Sequence, residues 1–338
     1  MAESLAVRYR PKTLEEICSQ KSVIKILNKQ LQTNQIKNCY MFVGPSGTGK
    51  TTTCRAFANA VNKGIGEPIE IDAASNSGVD NVRTIIKNAQ ERAIDGKYKI
   101  FIVDECHALS NQAWQAFLKC IEEPPAYTIF MFCTTDPQKV PATIVNRVMK
   151  FNLTKIEMNV IINRLIYICE QEGLQYSPEA LEFIAKLADG GMRDAIANLE
   201  KVIDYGDITI ENVLQCLGSF SYETFFKLVN AIIDGQEDLV ISLIEDIYNQ
   251  GSDLKLFVDQ FLGFCLDVAK YAIFKTCSMT KIPSNMEPEL QNSINFEGAS
   301  KYYMYLVDNL LELKQMLKTD TSIKDSIEII FLKLARCI

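Results

Sequence analysis

Residues 41–53 read Met-Phe-Val-Gly-Pro-Ser-Gly-Thr-Gly-Lys-Thr-Thr-Thr, and they carry the strongest structural signal in the chain. It contains Gly44, four further residues and then Gly49-Lys50-Thr51, which is the pattern of a loop that binds phosphate. Glycines let the backbone turn its N–H groups towards an anion, and the start of a helix adds a favourable dipole. A chance glycine-rich turn is the alternative, and a second matching motif further along the chain argues against it.

The residues on either side supply the context that this loop needs. An apolar run at 39–43 precedes the loop as a buried strand would, and residues 55–61 follow it with a helical composition. We therefore predict that Lys50 reaches the β- and γ-phosphates of a nucleotide and that the Thr51 hydroxyl holds Mg²⁺. The predicted nucleotide-binding residues of the loop are Gly44, Pro45, Ser46, Gly47, Thr48, Gly49, Lys50, Thr51 and Thr52.

Length and composition fit a chain of two or three globular domains. The 338 residues are 48% hydrophobic and 23% charged, without an apolar run long enough to cross a bilayer or the residue order of a secretory signal. The 11 cysteines are scattered without a Cys-x-x-Cys pair. This pattern predicts reduced thiols, no zinc site and a cytoplasmic protein.

The net charge of −7 conceals two unlike parts of the chain. Residues 1–150 carry 19 Lys and Arg against 14 Asp and Glu, whereas the remaining residues carry 16 against 28. A nucleic-acid partner would therefore meet the first part, where its phosphates find an excess of positive charge. A random imbalance of surface charge is the alternative at this modest size.

Strands alternate with helices in the first half of the chain, and helices alone follow. Strands are predicted at 39–43, 69–72, 99–104 and 128–135. This alternation favours a parallel sheet with helices on both sides. From about residue 157 the apolar spacing is helical, apart from a polar, proline-containing connector at 280–297. The predicted fold class is α/β followed by all-α, with domains at residues 1–156, 157–218 and 219–338.

Two acidic residues end the predicted strand at 99–104. Asp104 and Glu105 follow an apolar run about fifty residues after the phosphate loop. In ATPases with such a loop, this arrangement places the first carboxylate near Mg²⁺ and the second near the attacking water. A strand that merely ends in acids is the alternative. Thr135, at the end of the next strand, is predicted to sense the γ-phosphate.

Two arginines and the single histidine complete the candidate residues. Arg147 lies in Ile-Val-Asn-Arg-Val at 144–148, and Arg193 lies in Gly-Gly-Met-Arg-Asp at 190–194. A planar guanidinium suits contact with several phosphate oxygens, although a surface salt bridge is the usual role of an arginine. The single histidine, His107, argues against a catalytic triad or a histidine metal cluster. We expect it to support the acidic strand end.

Several stretches of the chain match one known family in their order along the sequence. They are Arg8–Pro11, Gly44–Thr52, Glu70–Ser75, Asp104–Ser110, Leu118–Pro125, Thr134–Lys139, Gly190–Ala195 and, more weakly, Gly251–Phe257. Each motif occurs in many AAA+ ATPases, whereas the combination resembles the gamma/tau family of DNA polymerase III clamp-loader subunits. The resemblance is close to about residue 218 and loose beyond it.

This resemblance implies an AAA+ domain, a three-helix lid and a C-terminal helical collar that joins subunits into a pentameric ring. It also implies an Mg²⁺-dependent ATPase, stimulated by DNA and the clamp, that opens a sliding clamp and places it on primer–template DNA. The residues that it implies act within one subunit are Lys50, Thr51, Asp104, Glu105 and Arg193, with Arg8 and Tyr9 also contacting the nucleotide. Arg147 matches the arginine that enters the ATP site of the neighbouring subunit.

The chain departs from the family at two places. The family's Ser-Arg-Cys is Asn146-Arg147-Val148 here, and residues 61–68 replace a four-cysteine zinc module. No zinc is therefore expected, as in phage or archaeal–eukaryotic small subunits, and a phage-encoded loader fits this divergent form.

Two other functions stay open at this point. One is a structural ring subunit that does not hydrolyse ATP, which the intact motifs argue against. The other is an AAA+ branch-migration motor, which should carry an added DNA-binding wing that the sequence lacks. DNA contacts are expected to be made to the backbone, independently of sequence, at the helix starts 77–80 and 110–112 with help from Arg83. Solvated helix caps are the alternative there.

Overall fold

The computed structural model describes residues 3–217, 220–249, 251–282, 286–318 and 322–336. The chain divides into two compact units, residues 1–209 and 210–338. The predicted boundary between residues 218 and 219 lies outside the described residues, and the division into three domains stays a prediction.

In the described part of the first unit, five strands form one parallel sheet. They are β1 (Cys39–Val43), β2 (Ile69–Asp72), β3 (Lys99–Asp104), β4 (Thr128–Thr134) and β5 (Met149–Asn152). Their order across the sheet is β2-β3-β4-β1-β5. Every residue of β1 and β4 is buried, because helices cover both faces of a parallel sheet.

Two helices precede the sheet and four lie in the connections between its strands. The first two are α1 (Leu5–Arg8) and α2 (Lys21–Thr33), and the others are α3 (Lys50–Val61), α4 (Val79–Gln90), α5 (Asn111–Glu122) and α6 (Ala142–Val145). One apolar core contains Tyr40 and Phe57, and another, formed with α4 and α5, contains Trp114 and Phe132. Removing a large buried ring of this kind costs about 3–5 kcal/mol of stability.

The strand register brings the candidate residues to one edge of the sheet. Val43, at the end of β1, is paired with Thr134, and Asp72 is paired with Asp104. Because β1, β3 and β4 are parallel neighbours, the chain leaves all three at the same edge. The phosphate loop, the acidic pair and Thr135 therefore start from adjacent positions.

Three further helices of the first unit follow the sheet. They are α7 (Met158–Glu172), α8 (Pro178–Leu187) and α9 (Met192–Tyr205). The backbone N–H of Ile156 donates to Gly190 O at 3.0 Å, and that of Met192 donates to Gly47 O at 2.9 Å. The second bond ties the start of α9 to the phosphate loop.

The second unit is helical throughout its described residues. Its helices are α10 (Ile210–Cys216), α11 (Tyr222–Ile233), α12 (Glu237–Asn249), α13 (Leu254–Phe274), α14 (Glu287–Ser293), α15 (Ala299–Met316) and α16 (Ile323–Arg336). Large apolar side chains such as Phe257, Phe261 and Phe331 form its core. Among the described residues of both units, no helix is long and apolar enough to span a membrane.

Two elements differ from the sequence-based expectation. The connector predicted at 280–297 contains α14, because Pro288 stands at the start of that helix, where its missing N–H is not needed. The sequence-based expectation lacks strand β5, since four residues, Met-Lys-Phe-Asn, are too few to establish a period and only Phe151 among them is buried. The predicted order of an α/β part followed by an all-α part is confirmed.

Candidate nucleotide-binding site

A pocket of about 450 Å³ opens at the edge of the sheet where β1 and β3 end. Several segments of the first unit line it. They include the N-terminal residues Tyr9–Pro11, loop residues 46–52, the acidic pair Asp104 and Glu105, Arg164 of α7, and Met192 and Arg193 of α9. The volume lies in the range of small-molecule and cofactor sites.

The phosphate loop has the backbone that its glycines permit. Gly47 and Gly49 have φ values of 70° and 95°, in the left-handed region that favours glycine. Lys50 is buried and its Nζ donates to Gly44 O at 2.9 Å and to Pro45 O at 3.0 Å. Gly44 and Pro45 thus lie behind the lysine, whereas residues 46–52 line the pocket.

Thr51 and Asp104 form the candidate Mg²⁺ ligands. The Thr51 hydroxyl donates to Asp104 Oδ2 at 2.8 Å, so two hard oxygen atoms lie together beside the loop. Oxygen ligands of this kind, one of them a carboxylate, fit Mg²⁺ bound together with phosphates. Among the described residues, no group of three or more His, Cys, Asp or Glu side chains is arranged to hold a metal ion. The expected absence of zinc stays a prediction.

Glu105 has an unusual backbone and a well-connected side chain. Its φ of 45° is left-handed, which costs a non-glycine residue about 1–3 kcal/mol and occurs mainly at functional sites. Its Oε2 accepts from the Thr135 backbone N–H at 3.3 Å and from the Thr135 hydroxyl at 3.1 Å. Thr135 therefore contacts Glu105 and is not among the residues that line the pocket.

The N-terminal segment contacts α7, the first of the three helices α7–α9 that form the lid. Arg8 pairs with Glu172 of α7 at 3.0 Å, and the Tyr9 hydroxyl donates to the same carboxylate, which raises the pKa of Tyr9. Arg164, also on α7, donates to the Tyr9 carbonyl at 2.7 Å. Tyr9 lines the pocket, whereas Arg8 is turned towards Glu172 and does not.

Arg10 is a pocket residue that the sequence-based reasoning missed. It lines the pocket, and burial together with the positive charges of Arg55 and Arg193 lowers its pKa. Its position inside the Arg8–Pro11 motif was the available signal. Arg55 lines the same wall and pairs with Glu70 at 2.5 Å.

The two predicted phosphate-contacting arginines lie in different surroundings. Arg193 is the second residue of α9 and lines the pocket beside the loop. Arg147 follows α6 and is not among the lining residues. Its Nη2 pairs with Glu122 at 2.8 Å, its Nη1 donates to Thr143 O at 2.7 Å, and its side chain is 41% exposed. The roles assigned to all these residues stay predictions.

The helix starts considered for DNA contact also have local partners. Ser110 caps α5 by accepting from Ala113 N–H at 3.2 Å. Arg83 pairs with Asp80 at 3.1 Å, with both side chains largely exposed.

A parallel sheet in this strand order, with a phosphate loop, an acidic strand end and a helical lid, defines an AAA+ type ATPase fold. A solved structure of the same fold, the Thermotoga maritima RuvB Holliday junction branch migration motor, matches with a TM-score of 0.53 and 20% identity over 67% of this chain and 80% of that one. At this identity the likeness shows the fold alone.

Three family models match successive parts of the chain. Residues 67–157 match "DNA polymerase III, delta subunit", and residues 160–208 match "DNA polymerase III clamp loader subunit, ATPase lid domain". Residues 208–336 match "DNA polymerase III subunits gamma and tau domain III".

Curated relatives agree with these models. The DNA polymerase III subunit tau of Bacillus subtilis is 35% identical over 286 residues, which are 78% of this chain and 51% of that protein. The same subunit of Salmonella typhimurium is 30% identical over 335 residues, or 91% and 52% respectively. The chain belongs to the gamma/tau family of DNA polymerase III subunits, and it spans about half the length of these relatives.

Proposed function

We propose that this chain is an ATP-hydrolysing subunit of a sliding-clamp loader in DNA replication. ATP binding and hydrolysis would drive the opening of a clamp and its placement on primer–template DNA. The observation that carries the proposal is one pocket lined by Lys50, Thr51, Asp104 and Glu105 together with Arg193 from the lid. Membership of the gamma/tau family supports the choice of work to which the ATPase is coupled.

The residues of the loop are suited to holding a triphosphate. Backbone N–H groups at the start of α3 face the phosphates, and Lys50 exchanges its two carbonyl acceptors for β- and γ-phosphate oxygens. Thr51 and Asp104 hold Mg²⁺, which when bound neutralises charge on the phosphates. Glu105 orients the attacking water, and its carboxylate accepts the proton.

The lid is suited to sensing the nucleotide. Arg193 approaches the pocket from the first turn of α9, and the Met192 N–H bond to Gly47 O links that turn to the loop. A γ-phosphate held by both Lys50 and Arg193 would therefore stabilise one position of the lid. Its release would remove that bridge, which is a common basis for switching.

Arg147 is suited to acting on a neighbouring subunit. It lies on the exposed part of its own chain and outside the lining of its own pocket. In a pentameric ring it would enter the adjoining ATP site, where such an arginine contributes about 10³–10⁵ in rate. This arrangement explains why assembly and hydrolysis would depend on each other.

The partners that follow are a clamp, other loader subunits and primer–template DNA. The excess of basic residues in 1–150 supports sequence-independent contact with DNA phosphates by the first unit, at helix starts 77–80 and 110–112 with Arg83. The acidic remainder of the chain is suited to protein contacts in a collar. Domains at 1–156, 157–218 and 219–338, a cytoplasmic location and independence of zinc belong to the same proposal.

The test measures phosphate release by the chain purified with its native partner subunits. Wild type should be stimulated by clamp plus primed DNA, and Lys50→Ala should reduce hydrolysis by about 10²–10³-fold, because a charge that stabilises the transferred phosphoryl group is lost. Lys29→Ala, which removes an exposed lysine on α2, is the matched control and should leave the rate unchanged.

Other outcomes point to other functions. Stimulation of the wild type by four-way junctions, without an effect of the clamp, would identify a branch-migration motor. Absence of hydrolysis in the wild type would identify a structural ring subunit.

A further inference from the structure

His107 lies directly beside the proposed catalytic carboxylate. It belongs to a short 3-10 turn, Cys106–Ala108, that begins immediately after Glu105. Its Nδ1 is 3.2 Å from Glu105 Oε2 and 3.1 Å from Thr134 Oγ1, and its side chain is 21% exposed. His107 is not among the residues that line the pocket, whereas Glu105 is.

Two oxygen atoms lie close to His107 Nδ1. The imidazole is hydrogen-bonded through Nδ1 to Thr134 Oγ1, which also accepts from the Asp136 backbone N–H at 3.0 Å. Glu105 Oε2 lies within ion-pair distance of the same nitrogen. The ring therefore packs against the carboxylate while Thr134 fixes the ring.

The two oxygens of Glu105 consequently differ. Oε2 accepts from two donors, the Thr135 N–H and the Thr135 hydroxyl, and lies 3.2 Å from His107 Nδ1. Oε1 makes no hydrogen bond or ion pair with any described residue, while Glu105 itself lines the pocket. The side chain is thus held by one oxygen, and the other is available to a molecule in the pocket.

We propose that His107 is a positioning residue that holds Glu105 so that Oε1 orients the attacking water of ATP hydrolysis. This inference rests on the proposed ATPase function. His107 neither touches the nucleotide nor exchanges a proton in the reaction; it fixes a carboxylate that has several rotatable bonds. Catalysis is sensitive to such placement, because a displacement of about 1 Å can reduce a rate about a hundredfold.

The test compares His107→Ala with His107→Asn in steady-state hydrolysis by the chain with its native partners. His107→Ala should lower kcat by about ten- to a hundredfold with little change in KM for ATP, because the water is misplaced while nucleotide binding is intact. His107→Asn should restore most of kcat, since its side-chain amide stands near the position of Nδ1 and can contact the same two oxygen atoms. Gln115→Ala, an exposed substitution on α5, is the local control.

A second pair protects the test against loss of folding. If His107→Ala does not fold, His107→Asn and His107→Gln still differ, because the longer Gln places its amide near Nε2 and should have the low kcat. Thermal unfolding of each variant shows whether the fold is retained.

The outcomes separate the two proposals. An unchanged kcat in His107→Ala overturns the positioning role alone. If His107→Ala lowers kcat, raises KM and lowers thermal stability together, and His107→Asn does not restore them, His107 has a structural role. That result also overturns the positioning role. Absence of hydrolysis in the wild type overturns the proposed function together with this inference.

Discussion

Arg193 and Arg147 carry the same side chain at opposite kinds of position. Arg193 projects from the first turn of α9 into the pocket of its own chain. Arg147 is held by Glu122 and the Thr143 carbonyl on an exposed part of the first unit, with no place in that pocket. One chain therefore brings together the loop, the candidate metal ligands, Glu105 and one arginine in its pocket, and holds a second arginine outside that pocket.

The largest expected effect is that of Arg147→Ala in the assembled complex. Hydrolysis should fall about a thousandfold or more, because transition-state charge loses a guanidinium supplied across the interface. ATP binding to the separate chain, measured with a fluorescent nucleotide, should be unchanged. Phosphate release measures the first effect.

Mixing two inactive variants tests whether Arg147 acts between subunits. Chains with Lys50→Ala and chains with Arg147→Ala should each be inactive, yet their mixed complexes should recover part of the rate. Recovery occurs because an intact pocket from one chain meets an intact Arg147 from the other. If the mixture stays inactive although assembly is complete, Arg147 does not act between subunits.

A smaller effect is expected for Arg193→Ala. The loss should be about 10²-fold in kcat/KM for ATP, since one positive group near the developing charge is removed within the same chain. Unlike Arg147→Ala, this variant should also weaken ATP binding by the separate chain. Equal nucleotide affinity in Arg193→Ala and wild type would contradict its place in the pocket wall.

The smallest effect is expected at the contact between the N-terminal segment and the lid. Tyr9→Phe removes the hydrogen bond to Glu172 and keeps the ring, so KM for ATP should rise about two- to fivefold with kcat nearly unchanged. Glu172→Gln keeps an acceptor and should do less. An effect of Tyr9→Phe on kcat alone would show that this contact serves a later step.

Much of this site was predictable because its residues stand next to strong sequence signals. The glycine pattern and the apolar runs identified the loop and β1, β3 and β4, and the acidic pair followed from the end of β3. Parallel neighbours then had to bring these ends together. Short amphipathic elements such as β5 and α14 were harder to predict from the sequence.

Side-chain contacts were the part that the sequence could not supply. Nothing in the residue order says that Thr135 contacts Glu105, or that Arg8 turns to the lid while Arg10 faces the pocket. These contacts depend on packing between segments far apart in the chain, 30 residues for Thr135 and Glu105 and 164 residues for Arg8 and Glu172. The sequence pattern identified the motif in each case, but it did not show which way the side chains within the motif face.

Gly47 and Gly191 allow the phosphate loop and the start of α9 to approach each other closely. A Cβ placed on Gly47 would lie 2.8 Å from the Gly191 Cα, and one placed on Gly191 would lie 2.6 Å from Asp194 Oδ2. A methyl group at Gly47 would have to push the first turn of α9 outwards and carry Arg193 with it. The position of α9 relative to the phosphate loop therefore depends on the absence of a side chain at Gly47. Adding one carbon atom there would change how Arg193 approaches the nucleotide without replacing any residue proposed to act in the reaction.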